Sequence, residues 1–240
     1  MQLIVLSAGK GSRLPKNFRH KPKCLVEIKS KPLLLYNSNF FKKFSQKTIV
    51  TGYRQKYLKK VTERIGFKNI INKKYASTNM VYSLFLAKKL VQQDVVIVYG
   101  DVIFNENIFK QLEPKKDILP VNINWFKNWK NRMPLKNALN DAENLFIKKN
   151  KLLEIGTKID KNKIPKYQFM GILKLKKTTF LKCFNFFKKI KNDKIDMTSF
   201  LNLCIKNKIM SLKIQKYSNY WYEIDTVSDY KFAEKDIGKW

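Results

Sequence analysis

At 240 residues, 44% of them apolar, the chain is long enough to bury a sizeable core as one α/β domain, and its composition argues against disorder. No apolar run reaches the roughly 18 residues of a membrane span, and three isolated cysteines with a single histidine exclude a disulfide framework and a histidine metal centre. Fifty Lys and Arg against 18 Asp and Glu give a net charge of +32, but the lysines are spread from Lys10 to Lys239 without an RNP, zinc-finger or helix-turn-helix pattern, so anionic small ligands are expected and specific nucleic-acid binding is not.

Leu3–Ser7 reads as a first strand, apolar throughout as a central parallel strand should be. It opens into Ala8-Gly9-Lys10-Gly11-Ser12-Arg13-Leu14, with Lys21-Pro22-Lys23 behind a short polar loop. Glycines let backbone N–H groups approach phosphate oxygens, and Arg and Lys supply charge, so this is a phosphate cradle at a strand's carboxyl end. Leu14 stands where a dinucleotide fingerprint needs its third glycine, and the P-loop spacing is absent. Cys24–Ile28 is extended, Pro32 opens a helix to about Phe44, and Thr48–Thr51 is a second buried strand ending in Gly52-Tyr53. Gln55–Ile65 is helical, Lys68–Ile71 strand-like, Asn79–Leu90 an amphipathic helix, and Val95–Tyr99 a strand ending in Gly100-Asp101.

Beyond Asp117 the pattern changes. Ile118–Ile123 reads as a strand, residues 124–132 are polar and aromatic without clean periodicity, and Leu145–Ile147, Leu152–Ile155 and Phe169–Leu175 form an antiparallel section over one sheet edge. Helices Thr179–Ile190 and Met197–Lys206, strands Met210–Ile214 and Tyr220–Ile224, and a helix Val227–Lys235 close the chain. The expected fold is therefore α/β, a Rossmann-like doubly wound mixed sheet with a small antiparallel lid section. It forms one domain over residues 1–240, with a nucleotide-binding part to about 116 and an acceptor-binding and lid part from about 117. Because the chain opens on a strand, with a glycine-rich turn where a signal peptide would keep its apolar segment, a cytoplasmic location is the expectation.

Sheets of this type carry their sites at strand carboxyl ends. Asp101 is a metal-ligand candidate there, against the plainer role of a helix N-cap. Glu223 and Asp225 share one face of the late strand, and Asp225 has the same alternative as cap of the closing helix. Two carboxylates beside a polyphosphate would hold Mg²⁺ through hard oxygen ligands.

The opening motif, with Pro22-Lys23-Cys24-Leu25-Val26, resembles the signature of the sugar-phosphate-type nucleotidyltransferases. Ser77-Thr78-Asn79-Met80, Tyr99-Gly100-Asp101, Asp141-Ala142-Glu143, Leu153-Glu154-Ile155-Gly156 and Glu223-Ile224-Asp225 extend the likeness to about residue 230. They narrow it to the branch that holds phosphocholine and phosphonate cytidylyltransferases. The loop between Arg13 and Lys23 is slightly shorter than the family's usual one.

The resemblance implies CMP transfer from CTP to a small phosphorylated or phosphonate acceptor, with Mg²⁺ as cofactor and pyrophosphate released. A homodimer stays open. Arg13 and Lys23 would be catalytic, and Asp101 and Asp225 would bind the metal. Leu6, Ala8, Gly9, Gly11, Ser12, Gly52, Thr78, Asn79 and Ser83 would bind the nucleotide. Trp125, Trp129, Asp141, Glu143, Lys158 and Tyr167 would bind the acceptor. That mixture of rings and carboxylates suits a cationic or zwitterionic head group such as phosphocholine, 2-aminoethylphosphonate or a phosphorylated amino acid, with the tryptophans alternatively packing the lid. A sugar-1-phosphate nucleotidyltransferase and a non-catalytic nucleotide- or nucleic-acid-binding module remain as alternatives.

Overall fold

The computed structural model of the chain describes residues 1–113, 115–157 and 164–238. Among them, a ten-stranded mixed sheet runs from edge to edge as Lys68–Ile71, Lys47–Thr51, Gln2–Ser7, Val95–Tyr99, Ile172–Leu175, Ile118–Asn122, Lys213–Tyr217, Lys151–Thr157 and Asn144–Lys148, with Gln168–Phe169 paired to Ile118–Asn122. The first four strands are parallel. Beyond Val95–Tyr99 the pairing turns antiparallel, broken by one parallel pair between Ile118–Asn122 and Lys213–Tyr217.

The continuous apolar strands are explained by cover on both faces. Leu3, Val5, Ile49, Val96 and Val98 pack on one side with Phe40, Phe41 and Leu58, while Ile4, Leu6, Val50, Val95 and Ile97 meet Leu84, Phe85, Phe180 and Phe200 on the other. This is the expected Rossmann-like mixed α/β sheet. Its antiparallel section is continuous with the sheet, because Asn144–Lys148 and Lys151–Thr157 extend the far edge. No helix among the described residues is long and apolar enough to cross a membrane.

Several elements differ from the sequence reading in ways that matter for the site. The expected helix from Pro32 breaks at Asn37 into Leu33–Tyr36 and Ser38–Lys42. Asn37 is buried, its amide donating to the Val102 carbonyl at 2.7 Å and accepting from the Phe104 N–H at 3.2 Å. Those bonds hold a two-stranded ribbon, Val102–Phe104 against Trp221–Glu223, outside the main sheet. Residues 124–132 contain a short helix, Trp125–Trp129, and Pro134 opens a further one, Leu135–Asp141, that lacks a clear apolar stripe. The strand expected at Met210–Ile214 lies at Lys213–Tyr217, since Met210 and Leu212 pack into the core from the loop before it.

Candidate active site

The site begins with strand register. Ser7 pairs with Thr51, and Leu6 with Tyr99, so the loops leaving these three strands start side by side. The ribbon adds a fourth segment. Its antiparallel register sets Glu223 opposite Val102, and the Ile224 N–H donates to the Asp101 carbonyl at 3.1 Å, which brings Asp225 alongside Asp101. The closing helix is capped by Thr226 and Asp229 in a reciprocal capping box, and the short helix after Asp101 is capped by Asn105. Neither Asp101 nor Asp225 is spent as a cap.

A cleft of about 360 Å³ lies over these loops, lined by Leu6, by the whole run from Ser7 to Arg13, and by Lys23, Thr78, Asn79 and Ser83. Gly11 has φ +63°, and a Cβ there would sit 3.1 Å from Lys23 Cβ, so the turn that brings Lys23 under the loop requires glycine. Leu14 is buried with Val26, Ile28 and Ile224, pinning the loop's far end. Gly52 is absent from the cleft wall. A Cβ there would lie 2.7 Å from the Ala8 carbonyl and from Tyr75 Cβ, so it spaces these two rather than facing a ligand.

Asn79 lines the cleft, but its side chain caps the helix Met80–Leu86 by accepting from the Met80 N–H at 2.8 Å. Thr78 and Ser83 are held by buried Asn72, whose Nδ2 donates to their hydroxyls at 3.0 and 2.9 Å. Asn72 and Tyr75, which also lines the cleft, escaped the sequence reading. An isolated Asn in Ile-Asn-Lys-Lys-Tyr carries no motif, and only its position after a parallel strand hints at a site. Cys24 lines the same cleft, yet burial pushes its thiol up to about 12, so it is no nucleophile.

Charge is concentrated at the cleft's inner end. Lys23 Nζ donates to Asp101 Oδ2 at 2.6 Å and also to Asp225 Oδ1. Arg13 Nη2 donates to Asp225 Oδ2 at 2.5 Å, and its Nη1 to Asp141 Oδ1 at 3.3 Å. Burial opposes the Lys23 charge, but the two carboxylates outweigh it and raise the ammonium's pKa, so Lys23 stays protonated at every physiological pH. Glu223, buried beside Asp225 and Asp101, is pushed well above the usual carboxylate range.

Asp101 Oδ1 is buried without a hydrogen-bond partner among the described residues. With Asp225 it forms a hard-oxygen donor pair of the kind that suits Mg²⁺, which normally takes one or two carboxylates and completes its shell from phosphates and water. No group of three or more described His, Cys, Asp or Glu residues forms a full protein cage.

Beside the cleft, sharing Arg13, Met80, Tyr99 and Asp225 with it, is a cavity of about 270 Å³. Five carboxylates line it: Asp141, Glu143, Asp196, Glu223 and Asp225. In a chain with 18 acidic residues among 240, that density is far from chance. Glu143 Oε2 is buried without a partner among the described residues, and burial lifts the carboxyl to about 7, aided by Asp196 and Asp141 and opposed by the Thr198 hydroxyl.

Three expected acceptor residues are corrected here. Trp125 and Trp129 are 1% and 2% exposed in the core, where Trp129 stacks on Trp221 at 6.1 Å under the Arg132 guanidinium, and Trp125 donates its indole N–H to the Pro165 carbonyl. They pack the fold and line no cage. Tyr167 is also outside the cavity, with Lys216 Nζ 5.7 Å above its ring. Lys158 falls outside the described residues. Asp196 and Gln168 join the cavity wall unforeseen, because they come from separate segments, and Glu223, noted in the sequence with Asp225, joins them.

Residues 3–116 match the family model described as MobA-like NTP transferase domain. The chain is 30% identical to the CTP:phosphoglutamine cytidylyltransferase of Campylobacter jejuni over 95% of its own length and 97% of that protein. In fold it is similar to the inositol-1-phosphate CTP transferase of T. maritima, with a TM-score of 0.79 at 21% identity over 99% of this chain and 96% of that one. The CTP:phosphocholine cytidylyltransferase of Streptococcus pneumoniae superposes with a TM-score of 0.74 at 24% identity, covering 98% and 97%.

Proposed function

The chain belongs to the nucleotidyltransferase superfamily, among its CTP-dependent cytidylyltransferases, and we propose that it transfers CMP from CTP to a small phosphorylated or phosphonate acceptor bearing an ammonium group. The observation that carries the acceptor class is the five-carboxylate cavity beside the phosphate cradle. Its rings are Tyr99 and Phe169 rather than tryptophans, and its Glu143 Oε2 is a buried oxygen awaiting a donor. Such a wall favours a primary ammonium, which donates hydrogen bonds to carboxylate oxygens, over a quaternary one, which has no N–H to donate and prefers aromatic faces. The phosphoglutamine named for the Campylobacter jejuni relative is an acceptor of this kind.

The chemistry asks for little proton transfer. A phosphate monoester has its second pKa near ~6, so the attacking oxygen is already ionised at neutral pH. The difficulty is bringing two anions together and holding the charge that builds on the α-phosphorus. Lys23, which packs under Gly11 and is kept protonated by its two carboxylates, would meet the α-phosphate. Arg13, at the border of cleft and cavity, would meet the triphosphate and the departing pyrophosphate. The backbone from Gly9 to Ser12 cradles the β- and γ-phosphates, and Tyr75 with Thr78 and Ser83 edges the nucleoside end. Asp101 and Asp225 would hold Mg²⁺, which when bound neutralises phosphate charge between the two substrates.

The test is pyrophosphate release across CTP, UTP, dTTP, ATP and GTP, each against phosphocholine, 2-aminoethylphosphonate, phosphorylated glutamine, inositol 1-phosphate and glucose 1-phosphate. Turnover with CTP and an ammonium-bearing acceptor is expected. Turnover confined to the sugar or polyol phosphates would reject the acceptor class, and preference for another nucleotide would reject CTP.

A further inference from the structure

Of the four residues common to both compartments, Arg13 is the cation, and it is held from both sides. Nη2 reaches Asp225 at 2.5 Å and Nη1 reaches Asp141 at 3.3 Å. The two pairs are unequal. The Asp225 side chain is 10% exposed, whereas those of Arg13 and Asp141 are 57% and 42% exposed. An open, longer pair is held weakly and is the one a competing polyanion displaces. Asp141 is also the last residue of the helix Leu135–Asp141, so the contact ties the phosphate loop to the wall of the acidic cavity.

Resting on the reading that the cleft takes CTP, we propose that Asp141 is a positioning residue that competes with the triphosphate for Arg13. With its guanidinium drawn toward Asp141, Arg13 lies across the border of the acceptor cavity. The triphosphate draws Arg13 back over the phosphate cradle, and the Asp141 carboxylate is left facing the cavity, one more acidic group for an acceptor's ammonium. Nucleotide binding thus prepares the acceptor site. No new covalent step is involved; the device is an exchange of partners around one guanidinium.

The test is a double-mutant cycle on CTP binding, read by calorimetry with Mg²⁺ and no acceptor at about 0.15 M salt, where surface charges beyond ~8 Å are screened. Asp141→Asn is expected to bind CTP about two- to five-fold more tightly than wild type, the range of an exposed ion pair. In an Arg13→Gln background the same change is expected to have no effect. Equal tightening in both backgrounds would mean that Asp141 acts through its general negative field, which overturns the proposal, as would unchanged or weaker binding in Asp141→Asn. A wild type that binds no CTP overturns the reading beneath it and this proposal with it. Once an acceptor has been found in the panel, Asp141→Asn should lower KM for CTP and raise KM for that acceptor. A rise in both constants, the mark of mere structural damage, counts against it.

Discussion

Glu143 shows what a single residue's surroundings do to its chemistry. Burial lifts its carboxyl to about 7, so it is neutral below that pH and ionised above it. Only the ionised form pairs with an ammonium. Acceptor kcat/KM is therefore expected to climb as pH rises through about 7, on top of a lower limb near ~6 from the acceptor's own phosphate. Glu143→Gln should abolish the limb at about 7 and raise the acceptor's KM at pH 8 by roughly ten- to a hundred-fold, the range of a hydrogen bond to a charged group. If the upper limb survives in that variant, Glu143 does not contact the ammonium. The residue itself was legible in the sequence, as part of Asp-Ala-Glu. Its raised pKa was not, because Gln168, Phe169 and Asp196, which line the same cavity, come from other parts of the chain.

At the scale of elements, the tryptophans mark the limit of reading by residue type. Two rings four apart in a polar stretch fit an aromatic cage as well as a helix face laid on a core. The core prevails because Trp221 and Met170, far along the chain, complete it, Trp221 donating to the Met170 carbonyl at 3.1 Å. Trp129→Ala should accordingly cost about 3–5 kcal/mol of stability, roughly 10 °C of Tm for a chain of this size, measured by thermal unfolding. A variant with wild-type Tm and a raised acceptor KM would restore the cage. The carboxylate pair shows the opposite case. Gly-Asp and Glu-Ile-Asp stood out at strand ends, yet either aspartate could have been a cap. Asn105 and Thr226 take the capping roles instead, and the ribbon register brings the two aspartates together on Lys23.

Across the whole molecule, the net charge of +32 is distributed unevenly in function. Where the strands Ile118–Asn122, Lys151–Thr157 and Lys213–Tyr217 begin, a cleft of about 760 Å³ is rimmed by seven lysines, Lys115, Lys116, Lys149, Lys151, Lys176, Lys208 and Lys213. Five of the 18 acidic residues gather instead in the cavity beside the glycine loop. CTP carrying several negative charges should be drawn by the long-range field, so its association rate should fall steeply with ionic strength while its dissociation rate changes little. Stopped-flow measurements between about 0.05 and 0.5 M salt, spanning Debye lengths from roughly 14 to 4 Å, test this; an association rate flat over that range would show that the charge does not steer the substrate. By itself, the sequence determined the α/β sheet and the glycine loop after its first strand, because these are written in local periods and a contiguous motif, while the transferase chemistry followed from its resemblance to a known family. Tertiary structure alone decided which carboxylates form a site, which aromatic rings are core, and what surrounds the acceptor. Those depend on the pairing of segments a hundred residues apart, and no local pattern records which strand a distant strand will join.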